Sequence, residues 1–240
     1  MTGAKANGSS GGRLFAVGDL HGCPAELAAL LKTIAPGRGD TIVFIGDYVD
    51  RGFSSKEVVE QLLELERGPA CAVFLKGNHE DMLLSFLGLP GKFGEWYLLN
   101  GGLMTAESYG AKSGRREELL ARMPPLHLDF FKRLRSYYQA PPYLFVHAGV
   151  APGVPLEHQS EETLLWVREE FLAQPHGLGA TVVFGHTPQR EVALDLPERV
   201  GIDTGLVFGG KLSCIEFTEG MLYQVPRGRV RVQAAPIALR

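Results

Sequence analysis

A mixed α/β fold is predicted by three observations: five short apolar runs, helical apolar periodicities between them, and strand patterns gathering toward the C-terminus. The runs cover residues 14–17, 42–45, 72–75, 143–146 and 182–184. Each is β-branched or aromatic-rich, bounded by glycine or polar residues, with little polar alternation. That is the pattern of strands covered on both faces.

The intervening segments follow in order. Residues 24–35 carry Leu27, Leu30, Leu31 and Ile34 at helical spacing, with Pro24 suited to a first turn. Residues 54–66 open with Ser54 and Glu57 as a capping box and continue with Val58, Val59, Leu62 and Leu63. Further helices are expected at 80–87, 116–123, 126–138 and 161–173, and consecutive strands over 199–233 with turns at Gly209-Gly210, Glu219-Gly220 and Arg227-Gly228. Residues 1–12, Gly/Ser-rich and nearly free of apolar groups, read as a flexible tail, and residues 13–240 as a single domain.

Composition narrows the function. The 24 basic and 27 acidic residues of the 240-residue chain give a formal charge of −3, with no basic stripe, so no nucleic-acid partner is expected. No apolar run approaches the roughly 20 residues that span a bilayer, and no basic segment followed by an apolar run opens the sequence, so a secretory leader is not expected. The expected location is cytoplasmic, without membrane attachment. Cys23, Cys71 and Cys214 are too few and scattered for a disulfide framework or a zinc cluster. Glycine departs from the ordinary, at 30 of 240 residues against an average of about 7%. Outside the tail, many glycines stand beside a polar residue at the end of an apolar run.

Those polar clusters are Gly18-Asp19-Leu20-His21-Gly22, Gly46-Asp47-Tyr48-Val49-Asp50-Arg51-Gly52, Gly77-Asn78-His79-Glu80, His147-Ala148-Gly149 and Gly185-His186-Thr187. Ligands collect outside the carboxyl ends of strands in mainly parallel sheets, so the clusters should converge. Carboxylate, amide and imidazole ligands without thiolate suit borderline-hard divalent ions such as Mn²⁺, Fe²⁺ or Zn²⁺. Six such ligands are too many for one tetrahedral ion and suit two ions sharing a bridge.

GDLHG, GDYVDRG, GNHE and the two later histidines resemble the signature of the phosphoprotein phosphatase family of calcineurin-like metallophosphoesterases, in its compact bacterial and phage-type form. The resemblance implies a layered αββα sandwich, with two mixed β-sheets flanked by helices. It implies that Asp19 and His21 bind one metal, that Asp47 bridges, and that Asn78, His147 and His186 complete the second. Asp50 and His79 match the family's acid dyad, and Arg51 its first phosphate-binding arginine. Asn78 would also face the substrate phosphate. The segment Leu165-Trp166-Val167-Arg168-Glu169 resembles the tryptophan–arginine segment of the phage-type enzymes, whose arginine grips phosphate. Independently, a continuous 161–173 helix would put Arg168 within the stripe of Leu164, Leu165, Phe171 and Leu172, where a buried guanidinium requires an anion.

The expected activity is metal-dependent hydrolysis of phosphomonoesters by direct attack of a hydroxide bridging two metals. The substrate would be a phosphorylated protein or peptide of the serine/threonine type, or a small phosphate ester, with no regulatory subunit. The alternative is a dinucleotide phosphohydrolase resembling the symmetrical diadenosine tetraphosphatases, which share Asp203-Thr204-Gly205 and Gly209-Gly210. That group typically lacks the Asp at position 50 and has Asp at position 80, so Asp50 and Glu80 favour the phosphatase branch. His127, His158 and His176 sit in no motif and read as structural, and Cys23 as a small residue opening a helix. Trp96, Tyr97 and Tyr109, in an inserted stretch, read first as packing aromatics.

Overall fold

Alternate residues along each central strand enter different apolar layers, and this alternation builds the architecture. In the computed structural model, which describes residues 11–239, Phe15 and Val17 of β1 (Leu14–Val17) join one cluster while Ala16 joins another. Along β2 (Thr41–Phe44), Ile42 and Phe44 face the first cluster and Val43 the second. The strands β3 (Cys71–Phe74), β4 (Tyr137–Ala140), β5 (Tyr143–Val146), β6 (Thr181–Phe184), β7 (Ala193–Asp195), β8 (Arg199–Gly201), β9 (Lys211–Glu216), β10 (Met221–Pro226) and β11 (Gln233–Pro236) complete two mixed sheets. Their orders are β11-β10-β9-β1-β2-β3 and β4-β5-β6-β8-β7. Within them β1-β2-β3 and β5-β6-β8 run parallel, and the outer strands pair antiparallel.

Three apolar layers follow. Ala16, Val43, Ile45 and Val73 meet Phe145, Val183 and Val200 between the sheets. The outer face of the first sheet packs on α1 (Pro24–Ile34), α2 (Ser55–Glu66), α3 (Asn78–Phe86), α5 (Arg116–Arg122) and α6 (Pro125–Lys132), with α4 (Leu103–Ser108) beside α2. The outer face of the second packs Val182 and Phe184 on Leu164 of α7 (Glu161–Trp166) and Phe171 of α8 (Glu169–Leu172). This is the αββα sandwich. Residues 1–10 of the expected tail lie outside the described residues. Among the described residues no helix is long and apolar enough to cross a membrane.

Three local expectations are corrected. The Ser54–Glu57 capping box does not form: Ser54 makes no side-chain cap, its N–H is held by the Gly22 carbonyl at 3.3 Å, and Glu57 is exposed. The helix expected over 126–138 ends at Lys132, and Tyr137 and Tyr138 form β4. There Tyr137 pairs with Val146, and ladder bonding of β-favouring aromatics outweighs the helical pattern. The helix expected over 161–173 breaks at Val167, which is extended (φ −60°, ψ 143°), followed by Arg168 at φ −133°, ψ −94°. The break lets Val167 and Phe171 close over Gly149, where even a methyl group would collide with both. Arg168 is therefore not on a buried stripe but exposed at the junction of two short helices.

Candidate metal centre

Each polar cluster leaves the carboxyl end of a parallel strand: Asp19 and His21 follow β1, Asp47, Asp50 and Arg51 follow β2, and Asn78 and His79 open α3 after β3. His147 follows β5 and His186 follows β6, on the facing sheet. The sandwich thus closes residues from five strand ends onto one point. Asp47 is shared by two groups, His21–Asp47–His79 and Asp47–His147–His186, in each of which the ligand atoms lie within 4.8 Å of one another. Asp47 Oδ2 is 3.4 Å from His21 Nε2, and Oδ1 is 3.4 Å from His147 Nε2. Asn78 Oδ1 stands 3.0 Å from His147 Nε2 and 2.9 Å from His186 Nδ1. Asp19 lies at the edge of this set, accepting from the His186 peptide N–H at 3.2 Å.

The electrostatics test whether cations fit. His21 Nδ1 donates to the Val49 carbonyl and His147 Nδ1 to that of Ile45, both at 2.8 Å, so each turns an unprotonated Nε2 toward Asp47. Burial drives the His21 pKa down to about 3 and that of His186 to about 2, the latter helped by His147; burial also lowers His147. Burial raises Asp19 well above its ordinary value, reinforced by Asp203 and Asp47. Burial works against the charge of Asp47, whose pKa nonetheless lies below the ordinary carboxylate value amid the surrounding histidines, His147 first. Imidazole lone pairs facing carboxylate oxygens in a buried site repel unless positive charge lies between them. The donor set therefore fits divalent cations. Arg51 and Arg168 approach from the two metal-ligand groups: Arg51 Nη1 reaches His21 Nε2 at 2.7 Å, and Arg168 Nε donates to His186 Nε2 at 3.0 Å.

The backbone is bent to make this set. His21, Asp47, Asp50, Arg51 and His186 all occupy the left-handed region, with φ between 42° and 71°. Such conformations persist only where surrounding bonds over-determine them. The bonds come from residues that motif reading left without a role. Buried Glu80 accepts from the peptide N–H groups of Asp47 (2.9 Å), Tyr48 (2.8 Å) and Gly77 (2.9 Å). Thr105 of α4 donates its hydroxyl to Asp50 Oδ1 at 2.7 Å and accepts from the Asp50 N–H at 2.8 Å. Gly101 accepts from the Arg51 N–H at 3.2 Å. Gly77 has no alternative, since a Cβ there would overlap the Asp47 carboxylate.

The remaining expectations divide cleanly. His79 Nδ1 lies 2.7 Å from Asp50 Oδ2, while its buried Nε2 has no protein partner among the described residues and sits 4.0 Å from Asp47 Oδ2. His127 pairs with the Tyr109 hydroxyl at 2.8 Å, His176 with the Glu198 carbonyl at 2.9 Å, and His158 is exposed. Cys23 donates to the His21 carbonyl at 3.2 Å, and burial pushes its thiol up to about 12, so it is a structural thiol. Tyr97 and Tyr109 are buried packing groups, whereas Trp96 is 54% exposed.

Comparison with known proteins places this geometry. The family described as calcineurin-like phosphoesterase matches residues 12–211. An asymmetrical bis(5'-nucleosyl)-tetraphosphatase of Anoxybacillus flavithermus is 25% identical over 233 residues, covering 88% of this chain and 92% of that protein. A crystal structure of a protein proposed as a diadenosine tetraphosphatase superimposes with a TM-score of 0.71 at 27% identity, covering 94% of this chain and 96% of that one. A serine/threonine protein phosphatase of Saccharomyces cerevisiae shares the fold, with a TM-score of 0.63 at 16% identity over 100% of this chain and 84% of that one.

Proposed function

The chain belongs to the calcineurin-like phosphoesterase family, and from that premise we propose that it is a dinucleoside polyphosphate hydrolase. The observation that carries the hydrolytic part is Asp47, held between two imidazole groups with an arginine on each. The family implies two divalent ions on His and Asp ligands. Asp19, His21 and Asp47 would hold one, and Asp47, Asn78, His147 and His186 the other. When bound, such ions acidify water and offset charge on phosphate oxygens.

The chain's own groups do the rest. Arg51 and Arg168 present guanidinium forks that grip nonbridging phosphate oxygens, and Asn78 adds an amide beside them. His79, oriented through Nδ1 by Asp50, offers Nε2 to the departing oxygen as general acid.

For the substrate, whole-length similarity to bis(5'-nucleosyl)-tetraphosphatases supports the nucleotide reading over the protein phosphatase favoured by the motifs. The motif argument rested on Asp50 and Glu80. Both are fully buried and bonded inward, to His79 and Thr105 and to peptide N–H groups. They shape the centre and do not face the group beyond the phosphate. The test is enzyme stripped with chelator, reloaded with Mn²⁺ and assayed on bis(5'-adenosyl) tetraphosphate and on a phosphopeptide. Turnover of the dinucleotide to ATP and AMP is expected only after reloading. Turnover confined to the phosphopeptide would restore the phosphatase reading, and equal turnover without metal would overturn the mechanism.

A further inference from the structure

Beside the metal centre, Phe93, Trp96, Asn100, Glu162 and Trp166 line an apolar cavity of about 250 Å³. Trp166 joins the two, its ring centroid 6.2 Å from that of His186, and Phe93 meets Trp166 edge-on at 5.1 Å. Phe93 is itself strained, at φ 59° and ψ 29°. Among the described residues seven non-glycine residues adopt positive φ; five belong to the centre, and Phe93 is one of the other two. Backbone strain of this kind clusters at active sites and ligand clamps. Trp96 stays 54% exposed, although tryptophan gains much by burial.

We infer that this groove is a nucleobase seat, in which a purine of the substrate stacks on Trp96, Phe93 and Trp166 while its phosphates lie on the metal centre. The inference rests on the nucleotide reading above and adds the place and residues of base recognition. Three observations select an uncharged planar ring as the occupant. The walls are aromatic, and stacking on such walls is tolerant of base identity. The one carboxylate present, Glu162, is engaged by Lys92 at 2.6 Å, so the groove does not share the charge of the neighbouring centre. Asn100 donates Nδ2 to the Trp96 carbonyl at 3.0 Å, and its Oδ1 makes no hydrogen bond among the described residues. A carboxamide beside a stacking surface can read a base edge, as asparagine does with adenine.

The test separates base from phosphate. Mn²⁺-loaded enzyme hydrolysing p-nitrophenyl phosphate is inhibited with AMP and with ribose 5-phosphate, which lacks the base. The seat predicts that AMP inhibits about 10-fold more tightly in the parent enzyme. Trp96→Ala should collapse this ratio toward 1, and Trp96→Phe should keep most of it. Both tryptophans of the chain, Trp96 and Trp166, line the groove, so adenosine alone should quench indole emission saturably. Equal inhibition by AMP and ribose 5-phosphate, or a ratio unmoved by Trp96→Ala, would overturn the seat even if bis(5'-adenosyl) tetraphosphate is cleaved. Base-dependent inhibition without cleavage of that dinucleotide would instead sink the substrate reading and leave the seat standing.

Discussion

His79 Nδ1 donates to Asp50 Oδ2 at 2.7 Å, with both side chains excluded from solvent. The bond fixes the ring with Nε2 turned toward Asp47, 4.0 Å from its Oδ2. His79→Asn should keep both metal ions and lower kcat by ~10²–10⁴-fold, the usual worth of a positioned acid. The loss should be larger for an alkyl phosphate than for an anhydride, whose leaving group needs a proton less. A variant that loses metal instead would make His79 a ligand, as its place in the first metal-ligand group also permits.

Thr105 braces Asp50, which makes it a candidate positioning residue for the proposed acid. Its hydroxyl both donates to the carboxylate and accepts from the peptide N–H. Thr105→Val should cut kcat by roughly 10-fold with KM and metal content little changed, and Thr105→Ser should recover most of the loss. Equal activity of the valine and serine variants would remove Thr105 from the acid's support.

Away from the centre, Asp40 accepts from the Arg13 N–H (2.8 Å), Arg13 Nη2 (2.6 Å) and the Gly37 N–H (2.9 Å). Burial alone would raise its pKa, but these donors, Arg13 first, hold it below its ordinary value. A lowered carboxylate pKa stabilises the fold above its unfolded value near 4 and is lost as pH falls through the folded value. Asp40→Asn should cost about 1 kcal/mol at neutral pH, discounted for the partly exposed Arg13. Denaturant titrations of parent and variant should converge as pH falls through the lowered folded value; a gap that widens toward acid would contradict the assignment.

Arg168→Lys should raise KM for the dinucleotide about 10-fold, because a point charge does not replace a fork. Unchanged steady-state kinetics would place phosphate binding elsewhere.

The five strand ends were legible because an apolar run followed by glycine and a ligand-type residue is a local pattern, and topology alone brings such ends together. The break at Val167 was not: no glycine or proline marks it, and it follows from packing on Gly149, distant in sequence. Arg168 illustrates the consequence: the buried-stripe argument for it fails because the helix breaks, while the resemblance of its segment agrees with its place 3.0 Å from His186. Thr105 was invisible for the same reason, being 55 residues from Asp50. Tyr137 and Tyr138 carried a strand preference that the helical spacing of residues 126–134 obscured.

The central claim is that Asp47 joins two cations in one site. Metal content per chain, measured by mass spectrometry after chelation, reloading with Mn²⁺ and desalting, tests it most directly. Two ions are expected for the parent chain and fewer than one for Asp47→Asn, with activity lost in step. An Asp47→Asn chain that retains two ions and full turnover would contradict the account.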